Sequence, residues 1–157
     1  KSEINKNIKV DVIFLLFDVF SYLINGRDLK KKLFLFNKIS SKGGLLIFDF
    51  WLKDSLTKSK PRDYEKSYKE ESFELIRKCK TNINYKSSIA TINYEILFDN
   101  KQFREKHKLK FFSFNEINEL LNLCGYQVVK YHFIDDIKKS LKNNKKWSIL
   151  CVAKKII

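Results

Sequence analysis

Asp11-Val-Ile-Phe-Leu-Leu-Phe-Asp-Val-Phe-Ser-Tyr-Leu23 is the stretch that decides the fold. It opens with an unbroken apolar run, Val12 to Phe17, and a carboxylate comes next at Asp18. Such a run, with β-branched and aromatic members, has the character of a strand buried on both faces. A polar side chain at its end lies where open α/β sheets bind ligands, outside the carboxyl ends of the strands. The pattern returns at Gly43-Gly-Leu-Leu-Ile-Phe-Asp-Phe-Trp51. Between the two, Leu29, Leu33, Phe36 and Ile39 form one apolar stripe of a helix over Asp28 to Ile39. Asn25-Gly26 or Asp28 starts it, and Ser40-Ser-Lys-Gly-Gly44 stops it. Strand, helix, strand is a βαβ unit, whose right-handed crossover makes the strands parallel.

From Leu52 the character changes. Residues 52–72 are polar and charged, hold the only proline, Pro61, and read as a loop or short helix. Phe73, Leu75, Arg77 and Cys79 then alternate weakly; Ala90, Ile92, Tyr94, Ile96 and Phe98 alternate clearly. After a turn at Asp99-Asn-Lys101, Phe103, His107, Leu109 and Phe111 share one face against Arg104, Lys106, Lys108 and Lys110. Period-two alternation predicts an antiparallel meander, dry on one face and wet on the other. It reads as a segment, 52–112, inserted into a single domain spanning 1–157. Ser113-Phe-Asn-Glu116 is a capping box, and the helix it opens runs to about Cys124, where Gly125 ends it. Tyr126 to Phe133 and Trp147 to Ala153 read as closing strands around a basic loop at Lys138 to Lys146.

Composition narrows the partners. The net charge of +14 invites a nucleic-acid reading. Yet only four of the 32 basic residues are Arg, the side chain favoured for bidentate phosphate and guanine contacts. Abundant Lys, Asn, Ile, Phe and Tyr match an A+T-rich coding sequence, so a solvated lysine surface is the better reading. No apolar run approaches the roughly 20 residues that span a bilayer. Cys79, Cys124 and Cys151 are far apart and lack metal spacing, which points to buried thiols in a reducing, cytoplasmic setting. There is no Met, so Lys1 is not a translation start. The first strand also begins with nothing ahead of it to be its neighbour, so the N-terminal part of a larger domain is expected to be missing. A bare strand edge needs a cover, and a homodimer is one way to supply it.

In this order the elements resemble the C-terminal two-thirds of a class I S-adenosylmethionine-dependent methyltransferase of the small-molecule branch. Asp11 to Leu23 resembles the family's fourth strand and the start of the next helix. Ser41-Lys-Gly-Gly-Leu-Leu-Ile-Phe-Asp-Phe-Trp51 resembles its fifth. Glu105-Lys-His-Lys-Leu-Lys-Phe-Phe-Ser113 is similar to the "H-x-hydrophobic-R-x-F-(S/T)" segment, and Leu120-Leu-Asn-Leu-Cys-Gly-Tyr126 to the "LL-x-x-AG(F/Y)" helix end. The implied fold is α/β, the part of a Rossmann-like sheet holding the fourth, fifth, seventh and sixth strands, with an inserted antiparallel meander. The Gly-rich cofactor loop after a strand, and the acidic residue that comes after it in the family, have no match in this sequence.

The resemblance implies S-adenosylmethionine as cofactor and a small-molecule acceptor, methylated on oxygen or nitrogen of a sugar, nucleotide-sugar or other metabolite. It puts Phe17 and Asp18 at the cofactor's methionine end, although relatives commonly carry His or Asn where Asp18 stands. A helix N-cap is the rival reading of Asp18. Asp49 and His107 become the candidate catalytic residues, with Trp51 facing the acceptor. Against this, Asp49 could simply brace its loop, and a lone His on an apolar face is often a satisfied core residue. Arg62 and Tyr64 are candidate substrate contacts in a lid. Tyr22 reads as helix packing and His132 as structural. No metal site is implied. The rivals are a non-catalytic fragment or binding module without a complete cofactor site, and a basic nucleic-acid-binding protein.

Overall fold

β1 (Val10–Leu15) and β2 (Ser40–Trp51) run parallel, with α1 (Gly26–Ile39) between them. These assignments come from a computed structural model that describes residues 8–70, 73–99, 101–134 and 147–156. The basic loop expected at Lys138 to Lys146 lies outside the described residues. α1 starts where Asn25 accepts the Arg27 amide on its side chain and lays Leu29 and Leu33 on the sheet. Its last carbonyls are met by the ammonium of Lys155, 2.8 Å from the Asn37 oxygen and 3.1 Å from that of Ser40.

The βαβ register slips once, the partner jumping from Ser40 opposite Val10 to Leu45 opposite Val12. Gly44 lies in that slip, where backbones crowd. A Cβ there would sit 3.0 Å from the Ser41 oxygen and 3.1 Å from that of Asp11. Only glycine admits so close an approach.

β8 (Ser148–Lys155) pairs antiparallel with β2, and β7 (Tyr126–Phe133) antiparallel with β8, giving the order β1-β2-β8-β7. This is the expected fourth-fifth-seventh-sixth arrangement. α3 (Phe114–Leu123) precedes β7. Its capping box forms as read: Ser113 Oγ accepts the Glu116 amide, and the Glu116 carboxylate accepts the Ser113 amide at 2.7 Å. Gly125, at φ +79°, ends it. The core between sheet and helices is aromatic at its centre, with Phe20 stacked on Phe48 at 4.1 Å and Phe50 and Phe112 beside them.

The second sheet leaves the first at Leu52 and returns beside it at Phe112. The Lys53 amide donates to the Phe112 oxygen, and the Phe112 amide to that of Trp51. Between these points come α2 (Lys53–Lys58), β3 (Tyr64–Glu70), β4 (Phe73–Asn84), β5 (Ile89–Phe98) and β6 (Lys101–Lys110), the strands antiparallel in chain order. β3 is the strand that the reading of 52–72 as loop or short helix does not contain. Every one of its residues is exposed, so no burial writes an apolar alternation into it, and backbone pairing with β4, with the Glu65–Lys78 ion pair at 3.3 Å, holds it. A smaller core of Trp51, Leu56, Cys79, Ala90, Ile92, Leu109 and Phe111 fastens the meander to α2 and the end of β2. Among the described residues no helix is long and apolar enough to cross a membrane.

Candidate active site

The carboxyl ends of β1 and β2 meet over the meander. β1 ends at Leu15, and the chain turns sharply through Phe17 and Asp18, both at φ +63°. Two successive non-glycine residues in the left-handed region cost on the order of 1–3 kcal/mol each. Asp49 at the top of β2 holds them: its carboxylate accepts the Phe17 amide at 3.1 Å and the Asp18 amide at 2.9 Å. Asp49 is only 7% exposed, so the clamp is short, charged and shielded from water. The turn it fixes presents Phe17 to solvent, 88% exposed.

Asp18 does not cap a helix. The next element is a single 3₁₀ turn, Phe20–Tyr22, preceded by Val19 with no side-chain cap; the Asp18 carbonyl accepts the Ser21 amide. The turn buries Phe20 and aims Tyr22 across at β6. There the Tyr22 phenol lies 2.6 Å from His107 Nδ1, and His107 Nε2 lies 3.2 Å from Glu105 Oε2. Glu105 can only accept, so Nδ1 of the neutral ring is the free acceptor and takes the Tyr22 hydroxyl hydrogen; partial burial, then the neighbouring Tyr94, Asp18 and Glu105, raise the phenol's pKa, so that hydroxyl keeps its proton. Nε2 then carries the ring hydrogen and donates to Glu105. Tyr94 closes the far side of the imidazole, edge-on at 5.4 Å.

Tyr22 is not packed in a helix as the sequence suggested. Helix packing predicts a buried side chain, but a 3₁₀ turn replaces the helix and leaves Tyr22 45% exposed. Its partner is 85 residues away, so no local pattern could have paired them. The signal available was the Glu105-x-His107 spacing, which puts carboxylate and imidazole on one strand face.

The remaining candidates separate. Trp51 is buried at 6% and packs edge-on against Trp147 in the smaller core, leaving little surface for an acceptor. Tyr64 stands on β3 in the same cross-strand row as Cys79 and Tyr94. Burial, above all, and the nearby Tyr94 push its phenol up to about 12. Arg62 is exposed in the connection between α2 and β3, and no hydrogen bond or ion pair ties it to the cluster among the described residues. His132 lies on β7, away from these groups. Among the described residues no set of three or more His, Cys, Asp or Glu could hold a metal ion.

No family model matches the sequence, and no curated protein matches it. Solved structures do. An S-adenosylmethionine-dependent methyltransferase from Clostridium acetobutylicum superposes with a TM-score of 0.74 at 18% identity, over 97% of this chain and 61% of that one. CalS10, an amino pentose methyltransferase from Micromonospora echinaspora, gives 0.72 at 13% identity, over 97% and 61%. The sugar N-methyltransferase KedS8 from Streptoalloteichus gives 0.71 at 14% identity, over 96% and 58%. The chain thus spans about 60% of the length of the structures it matches. At these identities the likeness is one of backbone, and with the strand order and the inserted meander it gives the conclusion: this chain has the fold of the corresponding part of the S-adenosylmethionine-dependent methyltransferases.

Proposed function

We propose that the chain carries the acceptor side of a methyltransferase that uses S-adenosylmethionine to methylate an oxygen or nitrogen of a small molecule. The observation that carries this reading is the series Tyr22–His107–Glu105 beside the braced turn at Phe17 and Asp18. The donor set fits the cofactor's methionine end: an aromatic face and a carboxylate on one turn suit a sulfonium and an ammonium. Phe17 and Asp18 would hold that end, which supplies an electrophilic methyl group when bound.

The chain's own residues then move a proton. A hydroxyl or amine hydrogen-bonded to the Tyr22 oxygen gives up its proton there as the phenol passes its own to His107 Nδ1. Glu105, on Nε2, stabilises the imidazolium that results. Placing this relay over the strand ends holds the acceptor in line with the methyl group. Asp49 is a positioning residue, acting through the turn it clamps. Sugar and amino pentose methyltransferases among the structural neighbours support a sugar or nucleotide-sugar acceptor.

The test is transfer of labelled methyl groups from S-adenosylmethionine to a panel of amino sugars and nucleotide-sugars. Turnover that requires Tyr22 and His107 supports the reading. Turnover unchanged in Tyr22→Phe and His107→Gln refutes it.

A further inference from the structure

Lys66 and Arg77 stand directly opposite each other in the β3–β4 register and therefore share one face of the meander. Like charges directly opposite across a pair of strands are destabilising. Among the described residues neither cation has a carboxylate within salt-bridge distance, although the outward-facing Lys78 and Arg104 do, on Glu65 and Glu95. Instead each lies against a tyrosine: the Lys66 ammonium 5.4 Å from the Tyr64 ring centre, and the Arg77 guanidinium 4.2 Å from that of Tyr94. Arg77 Nε is buried without a hydrogen-bond partner among the described residues. Burial of a guanidinium nitrogen without an acceptor is unfavourable, and the guanidinium lacks an anionic partner among the described residues.

The face is the one that carries His107. Tyr94 touches both, with Arg77 over its ring and His107 at its edge. The one carboxylate opposite Tyr94, Glu105, is engaged by His107. Two cations and two aromatic rings therefore stand one side chain beyond the proton relay, with no anion paired to them among the described residues.

We propose that Lys66 and Arg77 form a cradle for an anionic group, phosphate or carboxylate, on the molecule that reaches His107. Tyr64 and Tyr94 are the floor against which its organic part stacks. This rests on the face being the acceptor side. It adds that the acceptor is an anion and that its charge sits at the Lys66–Arg77 pair. Arg77 supplies directional hydrogen bonds through its guanidinium fork and Lys66 the point charge.

The experiment is titration of the ¹⁵N-labelled chain with sodium pyrophosphate and, separately, sodium malonate, following the Arg77 Nε–H resonance. The expected result is a saturable shift with at least one probe. Affinity then falls about tenfold in Lys66→Gln, the scale of one charge-assisted bond, and is unchanged in the outward-facing Lys106→Gln. Arg77→Lys, which keeps the charge and the fold but lacks the fork, weakens calorimetric binding several-fold. Tighter pyrophosphate assigns a phosphate; tighter malonate assigns a carboxylate. An Arg77 signal that stays still with both probes, or equal weakening by Lys66→Gln and Lys106→Gln, overturns the cradle. S-adenosylmethionine titrated alongside is read at Phe17 and Asp18. Cofactor binding without anion binding would therefore remove the cradle and leave the methyltransferase reading, and the converse would do the opposite.

Discussion

The phenol of Tyr22 donates a 2.6 Å hydrogen bond to Nδ1 of His107 and so joins the turn after β1 to the meander. In the proposed mechanism that bond makes a proton relay out of one residue of the turn after β1 and two residues of β6. Tyr22→Phe is expected to lower methyl transfer about 10²-fold, His107→Gln by as much or more, and Glu105→Gln by about tenfold, with little change in the affinity for S-adenosylmethionine. The tautomer checks it independently. Long-range ¹H–¹⁵N spectra should show Nε2 protonated and Nδ1 bare, and Tyr22→Phe should disturb that pattern.

Asp49 is predicted to matter for shape before chemistry. Asp49→Ala leaves two amides, of Phe17 and Asp18, without their acceptor and is expected to cost about 2–4 kcal/mol in urea unfolding. Asp49→Asn, which keeps one oxygen, should cost less. Amide hydrogen exchange reports the mechanism directly: protection at Phe17 and Asp18 disappears in the alanine variant, while that of the β2–β8 ladder stays. A variant that lost activity with both amides still protected would give Asp49 a direct chemical role instead.

Phe17 should show stability and function pulling in opposite directions. Its φ of +63° suits glycine, and at 88% exposure its ring contributes little packing. Phe17→Gly is therefore expected to stabilise the fold by about 1 kcal/mol while weakening binding of S-adenosylmethionine. Thermal melts and calorimetry on the same variant read both effects.

The cysteines should be inert in the folded chain. Cys79, Cys124 and Cys151 are all buried and free of disulfides, and burial pushes the Cys151 thiol from 9.0 up to about 12. The folded state thus favours the protonated thiol. Its contribution to stability is complete below pH 9 and is lost as pH rises from 9 towards 12, where the unfolded chain ionises and the folded one does not. Native protein is expected to react with a thiol reagent at about pH 8 only as fast as it opens. Across the window above pH 9, Cys151→Ala should lose less stability than the parent.

Local patterns carried most of the architecture and little of the site. The strand in the run from Val12, the stripe through Leu29 and Leu33, and the capping box at Ser113 depend on neighbours in sequence, so periodicity and composition reveal them; the expected burial on both faces fails, because β1 is an edge strand that stops at Leu15 and leaves Val12 and Phe14 exposed. β3 left no trace because Tyr64 to Glu70 is exposed on every residue and alternation records only burial. Asp49 was recognised as a residue of interest, but its partners are backbone amides in a turn whose left-handed dihedrals no side chain announces. Tyr22 was misread for a related reason: one missing helix turn redirects its hydroxyl from the core towards β6, and helical spacing is silent on where a helix fails to form.

The most direct test is a titration of the ¹⁵N-labelled chain with S-adenosylmethionine, mapped residue by residue. Saturable shifts are expected at Phe17 and Asp18, with a smaller response at Tyr22 and His107, and their loss when Asp49→Ala frees the turn. Saturable binding that leaves these four residues unmoved, or no binding by a chain that is folded, would contradict the placement of the cofactor's methionine end at this turn.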